Sequence, residues 1–457
     1  MGKIRLLLVF IIIPLLGFGC RGGGGKAKQQ LEEKIALTIW GVQDSQDDFA
    51  GVIAQWLSQH PNIAVSYRKF RLEEYESQLI EALAEDRGPD IISFHNTWGK
   101  KYQSKLLAMP LRLTLPVLVE EGIIKKEVKA KLQSFPTLSV SEIRQKFPET
   151  VLNDAVLQDQ IYGLPLSVDS LALYYNKTMM DRAGIPIPPK NWEDFVSAVK
   201  KLTIQDTRGG IIQSGTALGT AKNVERASDI LIALMIQNGA QVFNDAGSGA
   251  VFDKTSPNER EYSPGLAAVE FFSDFANPAK EVYSWHDKLP NSVESFALER
   301  VAMIFGYGYH YPIIKARNPR LNFAVTTMPQ ISGTSRPVTL ANYWLFGVSK
   351  KTKRPNEAWS FVQFMANEKN APLYLNKTGK PAALRSLINQ DLGNPERSVF
   401  ASQTLIAQRW FPGFDVKKAE DALLDLITKF LANEGSLQDL ARVATGKLNQ
   451  SLIPPSF

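Results

Sequence analysis

The sequence predicts an α/β protein of two domains with an open parallel sheet, and three observations predict it. The chain has 457 residues, more than one hydrophobic core usually organises. Its composition, 44% hydrophobic and 21% charged, is that of an ordinary folded chain with apolar material for two cores. From Ile35 onward the apolar pattern switches repeatedly between strand and helix periods, a β-α-β-α-β order that calls for parallel strands and right-handed crossovers.

The elements follow in order. Residues 35–40 (IALTIW) read as a buried strand ended by Gly41, and residues 49–59 place apolar side chains at helical spacing. His60-Pro61-Asn62 breaks that helix, and residues 63–70 alternate as a strand. Residues 72–85 are helical up to Gly88-Pro89, and residues 90–94 (DIISF) form a third strand. Ligands of such sheets bind at loops beyond the carboxyl ends of the strands, which selects Trp40 to Asp44 and His95 to Trp98. Residues 115–153 read as mostly helical, interrupted at Pro116, Pro136 and Pro148.

Residues 161–195 are the most informative stretch. Tyr162-Gly163 makes a turn and residues 170–175 a strand. A short helix over 177–183 stops at Gly184, and Pro186 to Pro189 connect to Asn191, placed as an N-cap before an amphipathic run over 192–202. Further on, residues 210–218 read as strand or loop, 228–239 as helix and 244–258 as a turn-rich insertion. Helices are expected over 266–275, 292–299 and 356–367, and strands over 301–305 and 322–327. Residues 338–348 form a strand split by Asn342-Tyr343-Trp344, residues 403–452 are largely helical, and there is no internal repeat.

The amino-terminal end is different. Lys3 and Arg5 precede an apolar run from Leu6 to Leu16, too short for a transmembrane helix, and Gly17-Phe18-Gly19-Cys20 closes it with small residues. Cys20 is the single cysteine and is followed by the Gly-rich RGGGGKAKQQ. This pattern predicts a lipoprotein signal over residues 1–20 with Cys20 acylated, and a flexible tether over 21–34. A plain secretory signal cleaved near Gly19 is the alternative. The net charge of +6 falls to +4 without Lys3 and Arg5, and the charges are interspersed, so no nucleic-acid partner is expected.

Six segments in order resemble bacterial extracellular solute-binding proteins of family 1 and together span most of the chain from Ile35. They are LTIW, EALAEDRGPDIISF, the 161–195 stretch, ESFALERVAMIFGYGYH, NFAVTTMPQ and EAWSFVQFMAN. The resemblance implies a two-lobed periplasmic-binding-protein type II fold, each lobe an open, mostly parallel sheet flanked by helices. One lobe would comprise residues 35–165 plus 325–368, the other 166–324 plus 369–457. It also implies a monomer that closes on its ligand about a hinge, with the permease subunits of an ABC transporter as partners and no cofactor.

Candidate ligand-binding residues are aromatic or neutral polar, with two acids. Trp40 ends the first strand and Asp44 lies in the loop after it. Asn96, Thr97 and Trp98 follow the third strand; the first two donate and accept hydrogen bonds, and Trp98 offers a face to a pyranose ring. Asp169 borders an apolar strand, where a carboxylate needs partners: either crossover backbone amides or two sugar hydroxyls. Trp285 stands in a polar loop, Tyr307 and Tyr309 alternate with glycines after a strand, Tyr343 and Trp344 interrupt another, and Trp410 lies in RWFPGF. Neutral polyols ask for this combination, whereas anions ask for arginine pairs or helix N-termini, and metals for clustered His and carboxylates. Carbohydrate is therefore the expected ligand. A secreted glycoside hydrolase would use two carboxylates, for which Asp44 and Asp169 could converge, and a lipid-anchored adhesin is a third possibility. No GxSxG, HExxH or GxxxxGK[ST] motif is present.

Overall fold

The computed structural model describes residues 24–121, 127–255, 262–334, 336–394 and 397–454. The leader and Cys20 lie outside the described residues.

The described residues open with helix α1 (Gly24–Glu32), within the stretch where a tether was expected. KAKQQLE is composed of good helix formers, and Ala27 is fully buried as α1 packs beside the hairpin described below. The Asn62 side-chain amide donates to the carbonyls of Gln30 and Glu33, fixing the end of α1. Then come β1 (Ile35–Gly41), α2 (Ala50–Gln59), β2 (Ile63–Lys69), α3 (Leu72–Ala84) and β3 (Ile91–His95). β1 pairs in parallel with β2 on one side and β3 on the other.

Residues 115–153 differ from the helical expectation. β4 (Arg112–Glu121) and β5 (Glu127–Pro136) form a long antiparallel hairpin in register from Arg112↔Pro136 to Glu121↔Glu127. Thr114, Val117, Val119 and Val128 favour extended backbone. Leu113 and Leu115 are buried on the inner face, and Pro116 is tolerated because the hairpin has no third strand to satisfy. Helices resume at Val140–Lys146 and at α4 (Glu149–Ala155).

The chain crosses at β6 (Asp169–Ser170) and enters a second sheet through β7 (Ala172–Asn176). That lobe adds α5 (Trp192–Leu202), β8 (Ile211–Thr216), α6 (Ala227–Gln237), β9 (Val301–Gly306) and β10 (Phe323–Thr327). Asn191 caps α5, its Oδ1 accepting from the Asp194 amide at 2.7 Å. The return crossing is β11 (Thr339–Asn342), followed by β12 (Trp344–Ser349) and α7 (Pro355–Met365). β13 (Ala407–Gln408), α8 (Val416–Leu431) and α9 (Leu437–Ser451) complete the chain.

The first sheet has the order β2-β1-β3-β12, with β12 antiparallel to β3 and two short strands on its far side. The second has the order β8-β9-β7-β10, with a short strand, Ile204–Gln205, antiparallel to β8 at its edge, and only β8 and β9 run parallel. Both sheets are thus mixed, because a strand arriving from the opposite lobe inserts antiparallel into each. Between the lobes, β6, β11 and β13 form a small sheet with Asp169 opposite Asn342.

Two hydrophobic cores divide the chain. One gathers side chains from residues 35–168 and 341–388 with Ala401 and Ala407, the other from 171–340, Phe400 and 410–448. The second and third crossings therefore fall later than the expected 325 and 369. β10 pairs along the whole of β7, which commits it to the second lobe, and Tyr374 and Leu375 pack into the first core.

Candidate functional site: a cleft between the lobes

A cavity of about 570 Å³ opens between the lobes beside the crossing strands. The first lobe supplies the loop after β1 (Val42 to Asp44), Lys69 at the end of β2, Trp344 at the start of β12, and Thr378 to Pro381. The second supplies Gly308, Tyr309 and Tyr311 after β9, and Asp169 and Asn342 come from the crossings themselves. The loops at the carboxyl ends of β1, β2 and β9 thus meet here, as an open α/β sheet dictates.

Asp169 organises the wall. Its Oδ1 accepts from the amides of Gly308 and Ser170, both at 2.8 Å, and its Oδ2 from the Tyr309 amide at 3.2 Å. A Cβ on Gly308 would sit 3.1 Å from Oδ1, so glycine is what lets the loop come this close. A carboxylate offers about four lone-pair sites; three are taken by backbone, leaving one on Oδ2. Burial pushes the Asp169 carboxyl up to about 6 despite these amides.

Asp44 is buried, and its Oδ1 accepts from Tyr374 Oη at 2.7 Å and Lys380 Nζ at 2.5 Å. Tyr309 stacks on Tyr307, with ring centres 5.9 Å apart, and lines the cavity. Trp344 packs edge-on against His95 and Trp98 at 5.5 and 5.2 Å. Burial, reinforced by the Arg226 charge, holds His95 down at about 4, so its ring is neutral, and its Nε2 lies 3.3 Å from Asn342 Oδ1.

The other expected site residues lie elsewhere. Trp40 is buried in the first core against Phe70, under the Arg68 guanidinium. Trp98 stacks on Tyr102 at 5.5 Å. Trp285 is 1% exposed and donates its indole N–H to Asn223, and the buried Tyr307 donates its hydroxyl to Asp229 at 2.6 Å, so both rings are core. Tyr343 reaches the cavity wall, but its phenol is buried and donates to Asp154 at 2.6 Å. Asn96, Thr97 and Trp410 line a second interlobe gap of about 870 Å³, with Val338 and Ala407 in its wall. There Arg409 donates to the carbonyl of Asn153 at 2.8 Å and pairs with Asp154 at 3.5 Å.

Lys69, Tyr374 and Lys380 were missed by sequence reading. Each is an ordinary lysine or tyrosine locally, and only the continuation of the first lobe through residues 371–388 brings two of them to Asp44. Arg226 was missed as well. It sits at φ 57° before α6, paired with Asp229 at 2.7 Å and Glu420 at 3.5 Å. Among the described residues, no group of three or more His, Cys, Asp or Glu could hold a metal ion.

Asp154 provides a test of these electrostatics. Burial raises its carboxyl to about 6, against the pull of Arg409, Tyr343 and Asn96. Between about 4 and about 6 the folded form then binds more protons than the unfolded, so ionisation lowers stability as pH rises through that window. Asp154→Asn has no such ionisation. The stability margin of the native protein over this variant shrinks as pH rises from about 4 to about 6, read by urea midpoints; a margin that widens contradicts the raised pKa.

Comparison with known proteins agrees with this architecture. The galactooligosaccharide-binding protein of Bacillus subtilis is 23% identical over 356 residues, covering 77% of this chain and 74% of that one. The multiple sugar-binding protein of Streptococcus mutans is 22% identical over 245 residues, and that match spans 53% of this chain and 56% of that protein. The crystal structure of the cyclic α-maltosyl-1,6-maltose binding protein from Arthrobacter globiformis superposes with a TM-score of 0.69 at 17% identity, over 92% of this chain and 99% of that one. The sequence model of bacterial extracellular solute-binding proteins matches residues 43–372, and with its lobes, crossings and cleft the chain belongs to that family.

Proposed function

We propose that this protein captures a carbohydrate in the interlobe cleft by hinge closure and delivers it to the permease of an ABC transporter. In this reading it is a monomeric lipoprotein outside the cytoplasm, anchored through Cys20. The observation that carries the carbohydrate reading is the composition of the cleft wall. Tyr309 and Trp344 offer aromatic surface beside Asn342, Gln43 and the remaining acceptor site of Asp169, while Lys380 is already paired with Asp44. That combination suits hydroxyl-rich neutral ligands better than anions. Membership of a family of extracellular solute-binding proteins supports a place outside the cytoplasm, and the sugar-binding names of its relatives support the carbohydrate reading.

Turnover is not part of the proposal. Both cleft acids are committed as acceptors, Asp44 to a lysine and a tyrosine and Asp169 to three amides, rather than poised as an acid and base pair. The deciding experiment is a thermal-shift screen over mono- and oligosaccharides. A ligand at a hundredfold excess over Kd adds about 2.7 kcal/mol of stability. No shift with any carbohydrate sinks the reading, and release of cleaved sugar replaces it with a hydrolase. Tyr309→Ala lowers affinity for the sugar found roughly tenfold, with little change in the unliganded melting point.

A further inference from the structure

The β4–β5 hairpin has an apolar face in the wrong place for a free surface. Residues opposite one another in an antiparallel pair share a face, so the register Pro116↔Leu132, Leu118↔Ala130 and Glu120↔Val128 puts these six on one side. The opposite side carries Leu113 and Leu115, buried toward the lobe. A hairpin covered on one face ordinarily turns polar residues outward. Here Leu118, Val128 and Leu132 are 66%, 62% and 42% exposed, a cluster of the kind that marks a contact surface.

The chain itself indicates what covers it. α1 packs beside this hairpin, and Cys20 precedes the first residue of α1 by four positions. Four residues span at most about 14 Å fully extended. An acyl chain on Cys20 would therefore hold the first residue of α1, Gly24, within that distance of the bilayer surface, and with it the hairpin on which α1 packs comes close to the membrane. Lys26 and Lys28, both exposed on α1, suit anionic headgroups, and the apolar outer face suits the boundary beneath them.

We infer that the outer face of the β4–β5 hairpin, with Leu118, Val128 and Leu132, docks on the surface of the membrane that carries the Cys20 anchor. The inference rests on the lipoprotein reading, and its test separates the two. Acylated Cys20 has no free thiol, so Leu118→Cys gives the full-length lipoprotein one labelling site, and Ile187→Cys, 66% exposed on the other lobe, serves as a reference. Each is labelled with a polarity-sensitive fluorophore and bound to vesicles of phosphatidylcholine and phosphatidylglycerol. Iodide quenching at Leu118→Cys falls roughly threefold or more on vesicles, while Ile187→Cys is unchanged. Adding Val128→Asp and Leu132→Asp restores quenching without releasing the protein, since exposed substitutions leave the fold intact. Protein that floats with the vesicles while both labels remain equally quenched overturns docking and leaves the anchor standing. Protein that does not float, with Cys20 unmodified by mass spectrometry, overturns both.

Discussion

Replacing Asp169 by alanine lowers the unfolding free energy of the unliganded protein by about 3 kcal/mol and abolishes its carbohydrate-induced thermal shift. The stability loss arises because three amides, those of Ser170, Gly308 and Tyr309, lose a shared charged acceptor at the crossing. Hydrogen bonds to charged groups contribute more than neutral ones, and orphaned buried donors cost their full desolvation. The ligand effect has a separate origin: the loop carrying Tyr309 is held against the cleft by the same carboxylate. Asp169→Asn keeps an acceptor and loses only about 1 kcal/mol. Urea unfolding of both variants, with and without sugar, decides the matter. An alanine variant as stable as the native protein would show that the loop after β9 holds itself, and the carboxylate would revert to a ligand contact alone.

The second large effect is at Asp154. Its Oδ2 accepts from Tyr343 Oη at 2.6 Å and from Asn96 Nδ2 at 3.2 Å, all three residues being buried. Asp154→Ala leaves a hydroxyl and an amide without that acceptor and costs about 3 kcal/mol. Without Asp154 the Tyr343 hydroxyl has only the Thr150 carbonyl, 3.2 Å away; combining the change with Tyr343→Phe removes this donor, so the double variant loses less than the sum of the two single ones. Additive losses would show that the Tyr343–Asp154 bond contributes nothing to stability. The same residue pairs with Arg409 across the second gap, so the alanine variant also loosens one contact between the lobes.

Much of the frame was legible because local pattern and tertiary role coincide there. The strands and helices from Ile35 to His95 follow their periods, and Asn191 caps its helix as its position before an amphipathic run requires. The split of residues 338–348 at Tyr343 is also where the structure divides β11 from β12. The hairpin was not legible: RLTLPVLVEE and EVKAKLQSFP mix strand and helix spacings, and only their mutual pairing decides between them. At the site, the acid at the crossing and the tyrosine after β9 were visible as residues. The directions of Trp285 and Tyr307 were not, because Asn223 and Asp229, which take up their polar tips, are remote in sequence. Lys380 meets Asp44 across 336 positions, a separation no local pattern encodes.

β1 has a geometric consequence for transport. Helix α1 leads into its first residue, Ile35, and the cleft loop leaves its last, Gly41. Seven residues of strand measure about 23 Å, so the junction of α1 with β1 and the mouth of the cleft lie at opposite ends of one rigid rod, and a ligand reaches the mouth without passing that junction.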